Sequence, residues 1–330
     1  MTFTHTHIHT QYSLLDGAIL IPELVDYCKE TGMTACAITD HGWMAGVIEF
    51  YKTCKKKEIK PLIGVEAYVT DDRDNLYNED KTRDNMHMIL IAKDNIGYSR
   101  LLETVSDAAL NNFYYKPRIY REHLRQLGGH VVATTACLGG IFAKRLTWET
   151  DQDNKAIVCS DPEGIIEREV EFYLDIFKDD FYLELQVWND KKQYQPVYNQ
   201  WLLNFGREKK LPFIITADCH YLKKEDADLH ELLMAMQLGK TLEEYREDPD
   251  MLYGPHFYVA LPEEMLERAK SLDCEEAYYN TNEIAEKCNV EIELGKYQEP
   301  EFCIKKAPDC EEFLKWKKQK QECSKSSKNT

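Results

Sequence analysis

The stretch Phe3-Thr4-His5-Thr6-His7-Ile8-His9-Thr10 decides how this chain is read. It alternates and is rich in Thr and Ile, so it reads as a strand. Residues two apart on a strand share a face. His7 and His9 therefore present two imidazoles to one side and can chelate one ion. A second pair with the same spacing, Asp218-x-His220, ends the strand Pro212–Ala217, and again both side chains are expected to face one way.

Between these two pairs the chain reads as strand–helix repeats. Ile21–Gly32 is amphipathic, with Pro22 near its start and Gly32 at its end, and reads as a helix. Ala35–Thr39 is a short buried strand, Gly46–Lys57 a helix and Lys60–Thr70 a strand. Asp71–Asn85 is a charged loop; Met86–Ala92 is a strand and Ile96–Ala109 a helix. Then follow helix Arg121–Leu127, strand Val131–Ala136, helix Gly164–Phe177, strand Phe181–Val187, helix Gln193–Lys209 and strand Pro212–Ala217. This alternation, with about seven strands, predicts parallel βαβ units. The fold class is α/β, either a closed β/α barrel or an open doubly wound sheet. Beyond residue 220 the pattern turns helical, at Glu225–Leu238, Pro262–Ser271 and Asp273–Cys288. From about Val290 it becomes irregular, then polar and lysine-rich.

The metal-competent residues fall at strand ends. His41 follows the second strand, Glu66 sits inside the third, His87 opens the fourth, Cys137 follows Val131–Ala136, and Asp16 lies in the loop after the first. Each alone has a plain structural reading: a single His on a strand is usually a satisfied polar residue, and a lone Cys usually packs. A Glu inside an apolar strand is rarer, because an unpaired buried carboxylate is costly. Only Phe181–Val187 among the strands is read as delivering no ligand. In parallel β/α folds, sites form where strand ends and their loops converge, and the two pairs become neighbours if the barrel closes. His-rich ligands with carboxylates and one thiol suit zinc, manganese or iron better than calcium or magnesium. They are too many for one tetrahedral ion. Clustered ions that activate water and hold phosphate point to phosphoester hydrolysis.

Composition narrows the class. The net charge of −17 argues against a free-standing DNA-binding protein, whose affinity comes from neutralising phosphates. Basic runs are local, at Lys52–Lys60 and Lys315–Lys328. No apolar run approaches the roughly 18 residues of a membrane span, and no signal peptide opens the chain, so no membrane partner and a cytoplasmic location are expected. Eleven cysteines with no Cys-x-x-Cys pair argue against a disulfide framework and a zinc ribbon.

Several motifs are familiar. His5-Thr-His7-Ile-His9-Thr-Gln-Tyr-Ser-Leu-Leu-Asp16-Gly17, Ile38-Thr-Asp-His41-Gly and Gly64-Val-Glu66-Ala-Tyr belong to this set. So do Tyr115-Lys-Pro-Arg118, Thr135-Ala-Cys137-Leu-Gly-Gly, Ala217-Asp218-Cys-His220-Tyr-Leu, Glu225-Asp226-Ala227 with His230-Glu-Leu-Leu, and Leu238-Gly-Lys-Thr-Leu. Over roughly residues 1–300 the chain resembles the PHP (polymerase and histidinol phosphatase) domain of bacterial DNA polymerase III alpha subunits.

The resemblance implies a distorted seven-stranded, TIM-like β/α barrel over 1–224. A helical extension at 225–290 would complete the domain, and a palm-like connection with a polar tail would occupy 291–330. It also implies three divalent ions on nine ligands. His7, His9, Glu66 and Asp218 would hold one; Glu66 would bridge to a second held by His87 and Cys137; Asp16, His41 and His220 would hold the third. Zinc or manganese is expected, with iron possible. The activity implied is a metal-dependent 3′–5′ exonuclease acting on a single-stranded 3′ end in DNA replication, beside the polymerase core and other replisome subunits at the nucleoid. Lys116 and Arg118, read as loop residues, are expected to hold substrate phosphate, with a surface salt bridge the plain alternative. Asp40 is read as orienting an imidazole or capping a helix, and His5 as a core residue. His123, His130, His230 and His256 receive no role.

This sequence departs from the family by ending soon after Val290–Phe302, where the palm would begin, so the polymerase carboxylates are absent and polymerisation by this chain alone is not expected. A fragment, a natural terminus and a genetic split are the alternatives, and the end Trp316–Thr330 does not resemble the family's continuation. Two rival functions stay open: a metal-stabilised, non-catalytic scaffold that docks replisome subunits, and a small-molecule phosphatase.

Overall fold

The fold is built around a strand that is apolar on both faces. In the computed structural model, which describes residues 3–71, 85–188, 192–247 and 254–296, Lys60–Thr70 (β2) is buried at every position after the first. Such a strand reads as continuous hydrophobic sequence because both sides are covered. Glu66 is the one carboxylate inside it. Contacts divide the chain into Met1–Ile292 and Glu293–Thr330, and the architecture below belongs to the first unit. The lysine-rich stretch Lys315–Lys328 and most of the charged segment Asp71–Asn85 lie outside the described residues.

Ten strands are described: β1 (Ala35–Ile38), β2, β3 (Met86–Ala92), β4 (Phe113–Tyr114), β5 (Lys116–Tyr120), β6 (Val131–Thr134), β7 (Thr147–Thr150), β8 (Ala156–Ser160), β9 (Phe181–Gln186) and β10 (Phe213–Thr216). The helices are α1 (Ile21–Glu30), α2 (Val47–Lys57), α3 (Asn95–Asn111), α4 (Ile165–Phe177), α5 (Tyr194–Lys209), α6 (Ala227–Leu238), α7 (Leu242–Glu247), α8 (Pro262–Ser271) and α9 (Glu276–Lys287). The main sheet runs β10-β9-β6-β3-β2-β5-β4, with β1 paired to the near half of β2. A separate ribbon joins β7 and β8.

Two expectations are corrected. The sheet is mixed: β3 runs antiparallel to both β2 and β6. A parallel return needs a crossover, usually a helix; α2 separates β1 from β2 and α5 separates β9 from β10, and both of those pairs are parallel. The connection into β3 reads as a charged loop, which suits its antiparallel pairing with β2, whereas α3 lies between β3 and β6 without making that pair parallel. Phe3–Thr10, read as a regular strand, makes only isolated bridges, His5 to Cys36, Ile8 to Cys219 and Thr10 to Ile19. Its backbone is divided between two sides, so neither builds a ladder. Ala37 N–H donates to the His5 carbonyl and Cys219 N–H to the His7 carbonyl. The segment thus threads between β1 and the residues following β10, and the curled sheet meets at His7 and His9.

Candidate metal centre

At that meeting point the sequence places His7, His9, Asp16, His41, Glu66, His87, Cys137, Asp218 and His220, and the fold draws all nine together. Glu66 is the hub. Its two oxygens lie 2.7 Å from His41 Nδ1, 2.9 Å from His87 Nδ1, 3.2 Å from His9 Nε2 and 3.6 Å from His7 Nε2. The carboxylate is 1% exposed, and neither oxygen has a hydrogen bond of acceptable geometry. Asp218 Oδ1, also buried without a hydrogen bond, stands 3.1 Å from His7 Nε2 and 3.3 Å from His9 Nε2. Asp16 Oδ2 lies 2.8 Å from His41 Nε2 and 3.5 Å from His220 Nε2. Cys137 Sγ lies 3.6 Å from His87 Nδ1.

Backbone strain marks the same residues. Leu15, just before Asp16, Ala136, just before Cys137, and Asp218 itself have φ of 62°, 55° and 49°. Left-handed non-glycine residues cost of order 1–3 kcal/mol and persist where the surroundings impose them. The value at Asp218 also corrects the expected pleat: β10 ends at Thr216, and Asp218 and His220 reach the site through a left-handed turn, not along an extended strand.

The electrostatics of the cluster are set by its buried carboxylates. Burial opposes charge on every group, yet the Asp218, Glu184 and Glu66 carboxylates raise His7 well above its ordinary value. Against the same burial cost, Glu66 and Asp16 push His41 up to about 10. Burial, Asp218 and Glu66 hold the Cys137 thiol well above its ordinary value. The buried carboxylates thus favour positive charge on the imidazoles around them. A divalent cation would supply that charge and invert the preference of the thiol. The unsatisfied Glu66 and Asp218 oxygens, ringed by imidazoles, fit such an ion. Triads His7–His9–Glu66, His41–Glu66–His87, His9–His41–His220 and Asp16–His220–His230 each bring donor atoms within 4.8 Å.

Two residues escaped the sequence reading. β9 was expected to deliver nothing, but Glu184, within it, is fully buried and accepts from His7 Nδ1 at 2.6 Å, from Thr216 Oγ1 at 2.6 Å and from Thr134 Oγ1. The signal was available, since Glu184 interrupts an apolar strand as Glu66 does. His230, on α6, lies 3.9 Å from Asp16 Oδ1; it stands in a familiar motif, but no pairing with another ligand-competent residue gave it a role. Asp40 orients an imidazole, though not that of His41: it accepts from Ser13 Oγ at 2.8 Å, and Ser13 Oγ lies 3.2 Å from His9 Nδ1. His5 is buried and bonded to the Ala260 carbonyl at 2.9 Å.

A cavity of about 620 Å³ opens over the cluster. Lys116, Lys144 and Lys192 line it with Tyr68, Trp188, Tyr194 and Phe257. Lys116 and Arg118 prove to be strand residues of β5, not loop residues. Arg118 is off the cavity: its guanidinium is buried and bonds Asn112 Oδ1 at 3.3 Å, drawn to the end of α3.

The PHP domain family matches residues 5–187, more than half of the chain and seven of these nine positions, with Asp218 and His220 lying beyond the match. The chain belongs to the PHP domain family. The DNA polymerase III subunit alpha of Campylobacter jejuni is 38% identical over 91% of this chain and 24% of its own length. That of Aquifex aeolicus is 38% identical over 95% of this chain and 27% of its own. This PHP chain therefore spans about a quarter of the curated relatives it matches. Among solved structures, a two-domain protein from Bacteroides vulgatus containing a predicted PHP-like metal-dependent phosphoesterase matches 66% of this chain and 52% of its own, with 16% identity and a TM-score of 0.37. No helix among the described residues is long and apolar enough to cross a membrane.

Proposed function

We propose that this PHP domain is a divalent-metal-dependent phosphoesterase that removes nucleotides from the 3′ end of single-stranded DNA, acting in the cytoplasm with a replicative polymerase. The observation that carries the reading is the buried, unsatisfied pair Glu66 and Asp218 beneath a lysine-lined cavity. In this reading the curled sheet and the Phe3–Thr10 segment form the family's seven-stranded barrel. His7, His9, Glu66 and Asp218 would hold one ion, Glu66 with His87 and Cys137 a second, and Asp16, His41 and His220 a third, with zinc or manganese preferred and iron possible. Bound ions lower the pKa of water and neutralise charge developing on the phosphate.

The chain's own residues supply the rest. Glu184 donates no proton but fixes the His7 ring, so that a neutral imidazole turns its Nε2 lone pair toward Glu66 and Asp218. Ser13, held by Asp40, does the same for His9. Lys116 meets the phosphate from the rim, its Nζ seated 5.2 Å over the Tyr68 ring. Trp188 and Phe257, with centroids 5.3 Å apart, offer faces on which bases stack.

The test is degradation of a labelled single-stranded oligonucleotide with added Zn²⁺ or Mn²⁺, comparing the native chain with His7→Ala/His9→Ala. Metal-dependent shortening from the 3′ end that needs both histidines supports the reading. Faster turnover of a small phosphomonoester than of DNA would replace it with a small-molecule phosphatase. The net charge of −17 favours a second reading, a scaffold that docks other subunits; bound metal without hydrolysis of either substrate would select it.

A further inference from the structure

We propose that His230 is a ligand of the ion shared by Asp16 and His220, and that this bond anchors helix α6 to the metal centre. The inference rests on the metal-dependent reading above and adds a residue from outside the sheet to it. Asp16 divides its oxygens: Oδ2 faces His41 and His220, and Oδ1 faces His230 Nε2 at 3.9 Å. That separation is too long for a hydrogen bond. It suits two ligands of one ion, each about 2 Å from it. His230 Nε2 is buried and has no hydrogen-bond partner, an arrangement that costs free energy unless something fills the gap. The ring stands 5.2 Å from that of His220 and lines the cavity.

Helix α6 supplies an independent reason. Of its twelve residues only His230 and Ala235 are buried. Leu229, Leu232 and Met236, on one stripe, are 49%, 43% and 55% exposed. Apolar burial therefore contributes little to holding α6 in place, and the imidazole is one of its two buried side chains. Ligation at His230 makes the position of α6, and with it the cavity wall formed by Met234 and Gln237, dependent on metal.

The metal-stripped full chain, His230→Ala and His230→Cys would be titrated with Zn²⁺ against a chromophoric chelator, with hydrogen exchange followed over residues 227–238. His230→Ala is expected to lose one ion or to bind it at least about tenfold more weakly, by comparison with the 10–100-fold that even an outer partner is worth. Zinc-induced protection of α6 should vanish in His230→Ala, and the thiolate of His230→Cys should restore both. Unchanged zinc binding and protection in His230→Ala overturn the inference, including the case where only turnover falls, which would make His230 a substrate-contacting group. If His230→Ala does not fold, the native chain decides, since α6 protection that ignores zinc overturns the inference alone. A native chain that takes up no zinc overturns this inference and the phosphoesterase reading together.

Discussion

His7 Nδ1 donates to Glu184 Oε1 at 2.6 Å, between two side chains that are completely buried and 177 residues apart. The carboxylate can only accept, so it holds the proton on Nδ1 and turns Nε2 toward Glu66 and Asp218. Glu184→Gln keeps the shape and removes the charge. We expect zinc affinity to fall about 10–100-fold, as for other partners of metal-bound histidines. Chelator competition measures it; an unchanged affinity would reduce Glu184 to a packing role.

Metal should stabilise the fold. An ion that binds only the native state at 100 times its Kd contributes about 2.7 kcal/mol, and for a unit of this size each kcal/mol shifts Tm by about 2–4 °C. Adding Zn²⁺ to stripped protein should therefore raise Tm by roughly 5–10 °C. A melting curve indifferent to zinc and chelator would contradict the cluster's reading as a cation site.

Lys116 and Arg118 should separate cleanly. Lys116 faces the cavity, and a hydrogen bond to a charged group is worth about 1.5 kcal/mol or more. Lys116→Ala is expected to raise KM for an oligonucleotide about tenfold with little change in Tm. Arg118→Ala should lower Tm and leave KM alone, because its guanidinium packs against Asn112. Steady-state kinetics and calorimetry on both variants decide; equal KM effects would put Arg118 back in the site.

Gly17 ends the turn that presents Asp16. A Cβ there would stand 2.3 Å from the Thr10 carbonyl oxygen, which is backbone and cannot swing away. Gly17→Ala should cost about 1–3 kcal/mol, the usual range for overpacking, and displace Asp16. Denaturant unfolding measures the first effect. Full stability with intact metal binding would show that the turn yields freely.

Far from the site, Asp94 caps α3. It accepts from Gly97 N–H and from His130 Nδ1, each at 2.8 Å. Partial burial works against its charge, but the Gly97 N–H and His130 prevail and lower its pKa. Its stabilisation is therefore present above the unfolded carboxylate value of about 4 and is lost as pH falls through the lower folded value. Asp94→Ala should cost about 1 kcal/mol at neutral pH, and the difference from native should shrink below pH about 4. A deficit that persists in acid would point to packing, not the cap.

What the sequence determined by itself was local and periodic. The spacing in His7-x-His9, the carboxylate of Glu66 inside an apolar strand, and the helix–strand alternation are each legible within ten or so residues, because side-chain facing follows from backbone period. The tertiary structure decided everything that depends on closure. Glu184 reaches His7, and His230 approaches Asp16, only because the start of the chain is brought against segments far along it. β3 runs antiparallel, Asp218 turns through a left-handed backbone, and Arg118 faces α3 while its strand-mate Lys116 faces the cavity. For Glu184 and His230 the deciding contact joins residues far apart in sequence. Local preference contributes tenths of a kcal/mol there, against a buried charge whose pairing is worth several.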